Sequence, residues 1–260
     1  LWVSWKPSNA EKFILQVGQF KPLWSYEWGL SSNTMPVFER GQFVNQFVPD
    51  RSIGVLAAFD FDPWKFALSG FNGNLDDGAG SDDNGFFIFN AGYDLRTRLD
   101  GWDELFWRID YLHNAGSEQF SGDKAYRNGI STSLSGKKGP WGGAIDFMFI
   151  DGLEKGENAF GLTILPTYEL VPEKLELALR YTFSNADRDV LLLKNRYEQE
   201  VAGLEDGEGN EYHAIYGGLN WFIHGQRLKV MTGVEYSTMD SNSGGDFDGW
   251  TFFSGVRVWF

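Results

Sequence analysis

Hydrophobic and polar residues alternate with a period of two along most of the chain. Between residues 175 and 183, Leu177 and Leu179 alternate with Glu176 and Arg180. This alternation is typical of β-strands with one apolar face and one polar face. It predicts thirteen strands, at about residues 1–5, 12–20, 52–61, 64–74, 84–98, 104–114, 128–137, 141–151, 159–171, 174–184, 212–223, 227–238 and 249–260.

Signals for other features are sparse. Pro166 lies inside a predicted strand and lacks a backbone donor, so we expect a bulge or kink there. Helix signals are weak, with room for a turn or two only within residues 188–204.

The connections between the predicted strands alternate between short and long. The short ones are residues 6–11, 62–63, 99–103, 138–140, 172–173 and 224–226, and the long ones are 21–51, 75–83, 115–127, 152–158, 185–211 and 239–248. Aromatic residues flank the short turns, among them Trp64, Trp102, Trp141 and Trp221. Tight turns at one end, longer loops at the other and an aromatic girdle are typical of transmembrane β-barrels. The pattern therefore predicts an all-β, antiparallel transmembrane β-barrel, with a soluble β-sandwich or solenoid as the alternative.

Composition excludes several functional classes. The chain has 260 residues, no cysteine and a formal charge of −14, which argues against thiol chemistry and nucleic-acid binding. No apolar stretch is long enough for a membrane-spanning helix. The three histidines, His113, His213 and His224, are scattered without metal-ligand spacing. We therefore predict no catalytic residues, no metal site and no cofactor.

An odd number of strands does not fit a complete bacterial barrel, which has an even number. The first residues also begin directly with a strand pattern, without a leader or an initiating Met. Either the count of strands is off by one, or strands upstream of Leu1 are missing. We favour missing strands and therefore expect a processed chain or a fragment.

Several motifs carry a resemblance to a known family. They are Gly18-Gln19-Phe20-Lys21-Pro22, Ser31-Ser32-Asn33, Phe38-Glu39-Arg40, Phe47-Val48-Pro49-Asp50-Arg51 and Ile53-Gly54-Val55. Together they resemble the phosphate-selective porin O/P family. The ending from Gly249 to Phe260 looks like the closing strand of that family, and its last residues look like the C-terminal assembly signal of outer-membrane barrels: Val256, Val258, Trp259 and Phe260.

The resemblance implies a sixteen-stranded, homotrimeric porin in the outer membrane of Gram-negative bacteria. Its partners would be the lipid bilayer, lipopolysaccharide and small solutes or ions. This chain would be the C-terminal part of a single barrel domain, residues 1–260. Residues 21–51 would then be the loop that folds inward and narrows the pore.

Two groups of charged residues are candidates for the pore. The predicted constriction loop offers Lys21, Glu27, Glu39, Arg40, Asp50 and Arg51. An alternative role for Glu39–Arg40 and Asp50–Arg51 is to pair with the barrel wall and hold the loop in place. Alternation places on the pore wall Lys65, Arg96, Arg108, Asp110, Asp146, Glu176, Arg180, Lys229, Glu235 and Arg257. The aromatic residues of the loop are expected to pack rather than to guide a substrate.

The predicted function is passive diffusion of small hydrophilic or anionic solutes, including phosphate by the family's description. Alternatives are a structural or partner-docking barrel with a plugged lumen and, less well supported, an outer-membrane enzyme. Alternation also turns Asp60, Asp94 and Glu169 toward the lumen. The wall then has six basic and seven acidic positions, which nearly balance, so we expect at most weak anion selectivity. We also expect Leu179 to face lipid and Thr182 to face the lumen, so that arginine is tolerated better at Thr182.

Overall fold

The computed structural model describes residues 1–7, 12–73, 75, 85–116, 124–153, 157–192, 208–242 and 246–259. Thirteen strands form one antiparallel sheet in which sequential strands are neighbours. They are β1 (Trp2–Trp5), β2 (Phe13–Phe20), β3 (Ser52–Phe61), β4 (Trp64–Asn72), β5 (Gly85–Asp94), β6 (Glu104–Asn114), β7 (Asn128–Lys138), β8 (Trp141–Asp151), β9 (Ala159–Val171), β10 (Leu175–Ala186), β13 (Glu211–Phe222), β14 (Leu228–Asp240) and β15 (Phe247–Val258). The predicted all-β, antiparallel architecture and the thirteen strands of the main sheet are confirmed.

The remaining elements are short. The strands β11 (Leu191–Leu192) and β12 (Glu208–Gly209) pair with each other outside the main sheet. A 3₁₀ turn covers Leu95–Thr97, and the connection between β2 and β3 contains the helices α1 (Tyr26–Gly29) and α2 (Gln42–Phe47). The sequence pattern missed both helices because one or two turns give too few residues for a recognisable helical period. The helix expected within 188–204 falls partly on β11, and residues 193–204 lie outside the described residues.

The two faces of the sheet differ in exposure. On one face, here called the outer face, large apolar side chains are exposed, as at Leu68, Phe87 and Leu179. The other face, here called the inner face, carries buried polar side chains such as Asp110 and Arg180. Because strands alternate with a period of two, the sequence pattern alone produces this division.

The connections lie at two ends of the sheet because consecutive strands are antiparallel. The short-turn end carries tight connections such as 62–63 and 139–140, and the long-loop end carries residues 21–51. In the described part of the chain, β1 and β15 each have a single neighbouring strand, so the sheet is open between them. Within the same residues, no helix has the length and apolar character needed to cross a membrane.

The pairing around Pro166 differs from the expected bulge. Pro166 is paired with Gly143 of β8, and the register between β9 and β10 is the same on both sides of the proline. The β9–β10 pairing skips Leu179 and Arg180, which lie opposite this part of β9. The register shifts only near Leu175 at the end of the strand. The missing donor is thus accommodated by a local gap in the ladder. Of the two expected irregularities, a bulge or a kink, the bulge does not occur at Pro166.

Candidate functional site

Residues 21–51 lie against the inner face of the sheet. The main hydrophobic core forms between this segment and the strands, and it includes the fully buried Trp24 and Phe47 together with Phe43 of α2. Tyr126 donates a hydrogen bond from Oη to the backbone oxygen of Phe47 at 2.7 Å. The aromatic side chains of the segment therefore pack in or against the cores, and Tyr26, Trp28 and Phe38 are half-buried.

A buried ion cluster joins the segment to the sheet. Arg180 of β10 donates to Glu27 of α1 at 2.8 Å and to Glu235 of β14 at 2.7 Å, and all three side chains are at most 1% exposed. Arg180 also donates to the backbone oxygen of Glu39, while Glu27 accepts a hydrogen bond from the Gly41 amide at 2.9 Å. Charges this deeply buried are stable only when paired, so the cluster fixes the segment to the sheet.

Two wall carboxylates hold the start of α1. Asp110 accepts a hydrogen bond from the Ser25 amide at 3.0 Å, and Asp146 accepts one from the Tyr26 amide at 2.9 Å. The first amides of a helix have no partner within the helix, and carboxylates satisfy them well. The two aspartates are therefore engaged in anchoring and are buried beneath the segment.

Polar side chains of the last three sheet strands hold the middle of the segment. Asn220 donates to the Pro36 oxygen at 2.7 Å, and Lys229 donates to the Met35 oxygen at 2.9 Å. Arg257 donates to backbone oxygens of Ser32 and Phe38. Asn220 also donates to Glu176 at 2.9 Å. Since Asn90 of β5 donates to the Leu23 oxygen at 2.9 Å, segment 21–51 is anchored from β5 across to β15.

The segment also carries a group of cations around Trp28. Lys21 Nζ lies 4.1 Å and Arg40 Cζ lies 5.0 Å from the centroid of the indole ring. Both side chains donate to the backbone oxygen of Leu30, at 3.1 and 3.0 Å. Burial, followed by repulsion from Arg40 and Arg51, lowers the pKa of Lys21 to about 8. Lys21 therefore changes charge close to neutral pH.

A cleft remains beside the segment on the inner face, at the short-turn end of β2 to β6. It has a volume of about 360 Å³, and Leu23 contributes to its wall from segment 21–51. Its charged lining is Lys6, Lys12, Asp60, Lys65 and Arg108. Lys65 lies 3.6 Å from Asp60, with both side chains more than half exposed, whereas Arg108 is largely covered and contacts Asp110 at 3.0 Å. Cations outnumber carboxylates in this lining.

The predicted pore-wall residues separate into distinct groups. Asp110, Asp146, Arg180, Lys229 and Glu235 are buried against segment 21–51. Glu176 and Arg257 are half-buried and hydrogen-bonded, whereas Lys65 and Arg108 line the cleft. Arg96 lies in the 3₁₀ turn beyond β5 and pairs with Asp94, the last residue of that strand, so Arg96 is not on a strand.

The predicted loop and C-terminal residues are placed as follows. Glu39 and Arg51 are exposed, and Asp50 is 3.4 Å from Lys124. Val256, Val258 and Trp259 are exposed near the end of β15, and Phe260 lies outside the described residues.

Sequence reasoning missed which residues would anchor the segment. Glu39–Arg40 and Asp50–Arg51 were one alternative set of anchors. Asp50 contacts Lys124 outside the segment at 3.4 Å, the side chain of Arg40 donates to backbone oxygens within the segment, and the buried carboxylate is Glu27. No sequence signal identifies the partner of Arg180, because 153 residues separate it from Glu27.

Comparisons with known proteins agree with this architecture. Residues 1–87 match the family model described as phosphate-selective porin O and P. No curated protein sequence matches the chain. The fold is similar to that of outer-membrane expressed OmpT of Vibrio cholerae, with 10% identity and a TM-score of 0.59 over 100% of this chain and 80% of that one.

Two further solved structures are similar. OprB of Pseudomonas putida has 11% identity and a TM-score of 0.56, covering 98% of this chain and 70% of that one. The outer membrane channel DcaP of Acinetobacter baumannii has 11% identity and a TM-score of 0.51, covering 94% and 73%. These likenesses show that the fold is an antiparallel sheet of the kind found in those outer-membrane proteins. The family match confirms the resemblance to the phosphate-selective porin O and P family over residues 1–87.

Proposed function

We propose that the protein is an outer-membrane porin, a passive diffusion channel for small hydrophilic solutes with a preference for anions. The observation that carries this proposal is the opposite character of the two faces. Large apolar side chains are exposed on the outer face, whereas charged and amide side chains line the inner face. Such a sheet suits an environment in which lipid contacts the outer face and water contacts the inner face.

Segment 21–51 is the constriction of this channel. Its anchors extend from Asn90 of β5 to Arg257 of β15 and leave the cleft at the short-turn end of β2 to β6 as the space through which solutes pass. The charges under the segment are paired and buried, so they present little net field to a solute. The cleft presents Lys6, Lys12 and Lys65 against Asp60, and exposed charges at a narrow passage select ions by sign.

Several features of the assembly belong to the same proposal. The short-turn end faces the periplasm and the long-loop end faces the cell surface, where lipopolysaccharide lies. Further strands between β1 and β15 close the sheet into a sixteen-stranded barrel, and three such barrels form a homotrimer. The last residues of β15, with Trp259, serve as the assembly signal. The channel acts without catalysis, and phosphate is among its anions on the strength of the family description.

A second candidate is a surface scaffold with a filled lumen. The dense packing of Trp24, Phe43 and Phe47 against the inner face of the sheet favours this scaffold, because these side chains occupy space on the inner side.

Conductance of the full-length protein in planar lipid bilayers distinguishes the porin from the filled scaffold. A porin gives stepwise, lasting conductance increments, whereas a filled barrel gives none, and the absence of increments from correctly folded protein would refute the porin.

A further inference from the structure

The outer face carries a depression at the short-turn end of β6 to β9. Four residues lie side by side in register across these strands: Leu105 pairs with Gly136, Gly136 with Gly143, and Gly143 with Pro166. The two central glycines have no side chains, so they form the floor of an apolar groove of about 310 Å³. A Cβ at Gly136 would lie 3.0 Å from Leu105 and 3.1 Å from Trp102.

The walls of this groove, here called groove 1, change in character along the strands. Leu134, Ile145 and Ile164 form the wall toward the middle of the sheet, and all three are exposed on the outer face. Trp102 and Trp141 form the wall toward the short turns. At that end, the exposed Lys138 places Nζ 5.7 Å from the centroid of the Trp102 ring.

A second groove on the outer face repeats these features. Groove 2 has a volume of about 470 Å³ and lies at the short-turn ends of β9, β10, β13 and β14. Its lining is apolar apart from one threonine and one lysine: Val171, Lys174, Leu175, Leu219, Trp221, Val230 and Thr232. Lys174 lies in the turn between β9 and β10, so this groove also combines an exposed tryptophan with a lysine at the short-turn end.

We propose that each groove binds one acyl chain of an anionic phospholipid whose headgroup contacts Lys138 or Lys174. This inference rests on the membrane placement proposed above. An apolar groove on the lipid-facing side takes a hydrocarbon chain, and tryptophan and lysine at its end match the boundary between hydrocarbon and headgroups. A cationic side chain there attracts an anionic phosphate.

The lysines favour a lipid over a second copy of the chain as the occupant. Among the described residues, neither Lys138 nor Lys174 has a carboxylate within ion-pairing distance. A neighbouring subunit seated on the grooves would bury both ammonium groups, and burial without a partner is unfavourable. A phospholipid instead supplies the apolar chain and the negative charge in one molecule.

Native mass spectrometry of the full-length protein in detergent tests the proposal. Dioleoyl phosphatidylglycerol is titrated against dioleoyl phosphatidylcholine, which has the same chains and no net charge. We expect up to two phosphatidylglycerol molecules per chain, with higher affinity than for phosphatidylcholine. Lys138→Gln and Lys174→Gln should each reduce phosphatidylglycerol affinity at one site about fivefold. Gly136→Val should weaken both lipids at groove 1.

The control is Lys137→Gln, the same charge change one residue away on the inner face, where Lys137 pairs with Glu169 at 2.7 Å. A shift in electrophoretic mobility on heating verifies that each variant is folded.

Equal affinities for the two lipids, or equal effects of Lys137→Gln and Lys138→Gln, would overturn the proposal. Cysteines at Leu134 and Leu219 that cross-link between copies at high yield would also overturn it. If the protein conducts ions but shows no preference between the two lipids, only the proposed lipid grooves are refuted. If it prefers phosphatidylglycerol but does not conduct ions, only the proposed channel function is refuted.

Discussion

Two regions of the inner face use charged side chains in different ways. Beneath segment 21–51, Arg180, Glu27 and Glu235 are almost completely buried and paired with one another. In the cleft at β2 to β6, Lys65 and Asp60 are more than half exposed at 3.6 Å. The first group fixes the geometry of the segment, and the second group faces the space that we propose for solutes.

This difference changes how wall charges should be counted. The sequence gives six basic and seven acidic wall positions, which predicts at most weak anion selectivity. Burial removes pairs such as Arg180 and Glu235 from that count, because paired charges under a packed segment are remote from solutes. Five of these positions are buried, which leaves four basic and four acidic ones, but the cleft lining also includes Lys6 and Lys12 and is basic. We therefore expect clearer anion preference than the total charge implies.

The largest effect is expected from breaking the buried cluster. Arg180→Met leaves Glu27 and Glu235 buried without their cation, and removing one partner of a buried ion pair costs about 3–5 kcal/mol. The free energy of unfolding, measured by urea titration in detergent, should fall by that amount. Single-channel current of the folded fraction should become larger and noisier, because segment 21–51 loses its principal anchor.

The triple variant Glu27→Gln/Arg180→Met/Glu235→Gln is the matched control for this experiment. It removes all three charges at once, so no unpaired charge remains, and it should lose less stability than Arg180→Met alone. Arg98→Ala, at an exposed arginine in the turn after β5, controls for loss of an arginine elsewhere. If the triple variant is as unstable as Arg180→Met, the loss of stability does not come from carboxylates left buried without a cation.

The second effect concerns the two faces of the sheet. Leu179→Arg places a charge on the exposed apolar face, which should cost about 2–4 kcal/mol near the middle of the bilayer. Thr182 is an unsuitable inner control, since it is 1% exposed and a Cβ at Gly41 would lie 3.3 Å from it. Ala58→Arg in the cleft is suitable, and its cost should be small. Equal losses in urea titration would mean that the outer face does not contact lipid.

The strand pattern made most of the fold predictable. A period of two is a local property, so β3 and β8 begin and end where the alternation predicts, and antiparallel neighbours follow from the tight turns. The predicted positions of inner and outer side chains, such as Arg180 and Leu179, follow from the same alternation.

The details of the candidate site were not predictable in the same way. Whether an inner charge is exposed depends on where a distant segment packs, and Arg180 meets Glu27 across 153 positions. The cleft likewise combines Lys6 and Arg108 through the sheet rather than through any motif. Alternation therefore predicts which face a residue occupies, but it does not predict which residues cover that face.

A smaller effect is expected from charge changes in the cleft. Lys12→Gln/Lys65→Gln removes two exposed cations and should lower the anion-to-cation permeability ratio about twofold, since exposed charges are screened by water and salt. The reversal potential in a salt gradient measures this ratio. Arg227→Gln, at an exposed residue in the turn before β14, should leave it unchanged. An unchanged ratio in the double variant would place the selective passage elsewhere.

The smallest effect is the pH dependence of selectivity that Lys21 confers. Its pKa is lowered to about 8, chiefly by burial and then by Arg40 and Arg51. An amine is charged below its pKa, so raising the pH through about 8 removes one positive charge from the constriction, whereas an ordinary lysine would keep its charge. Anion preference should therefore weaken modestly over that interval. In Lys21→Gln this step should disappear, with the preference already at its lower value on the acidic side. A wild-type step that persists in Lys21→Gln would assign the titration to another group.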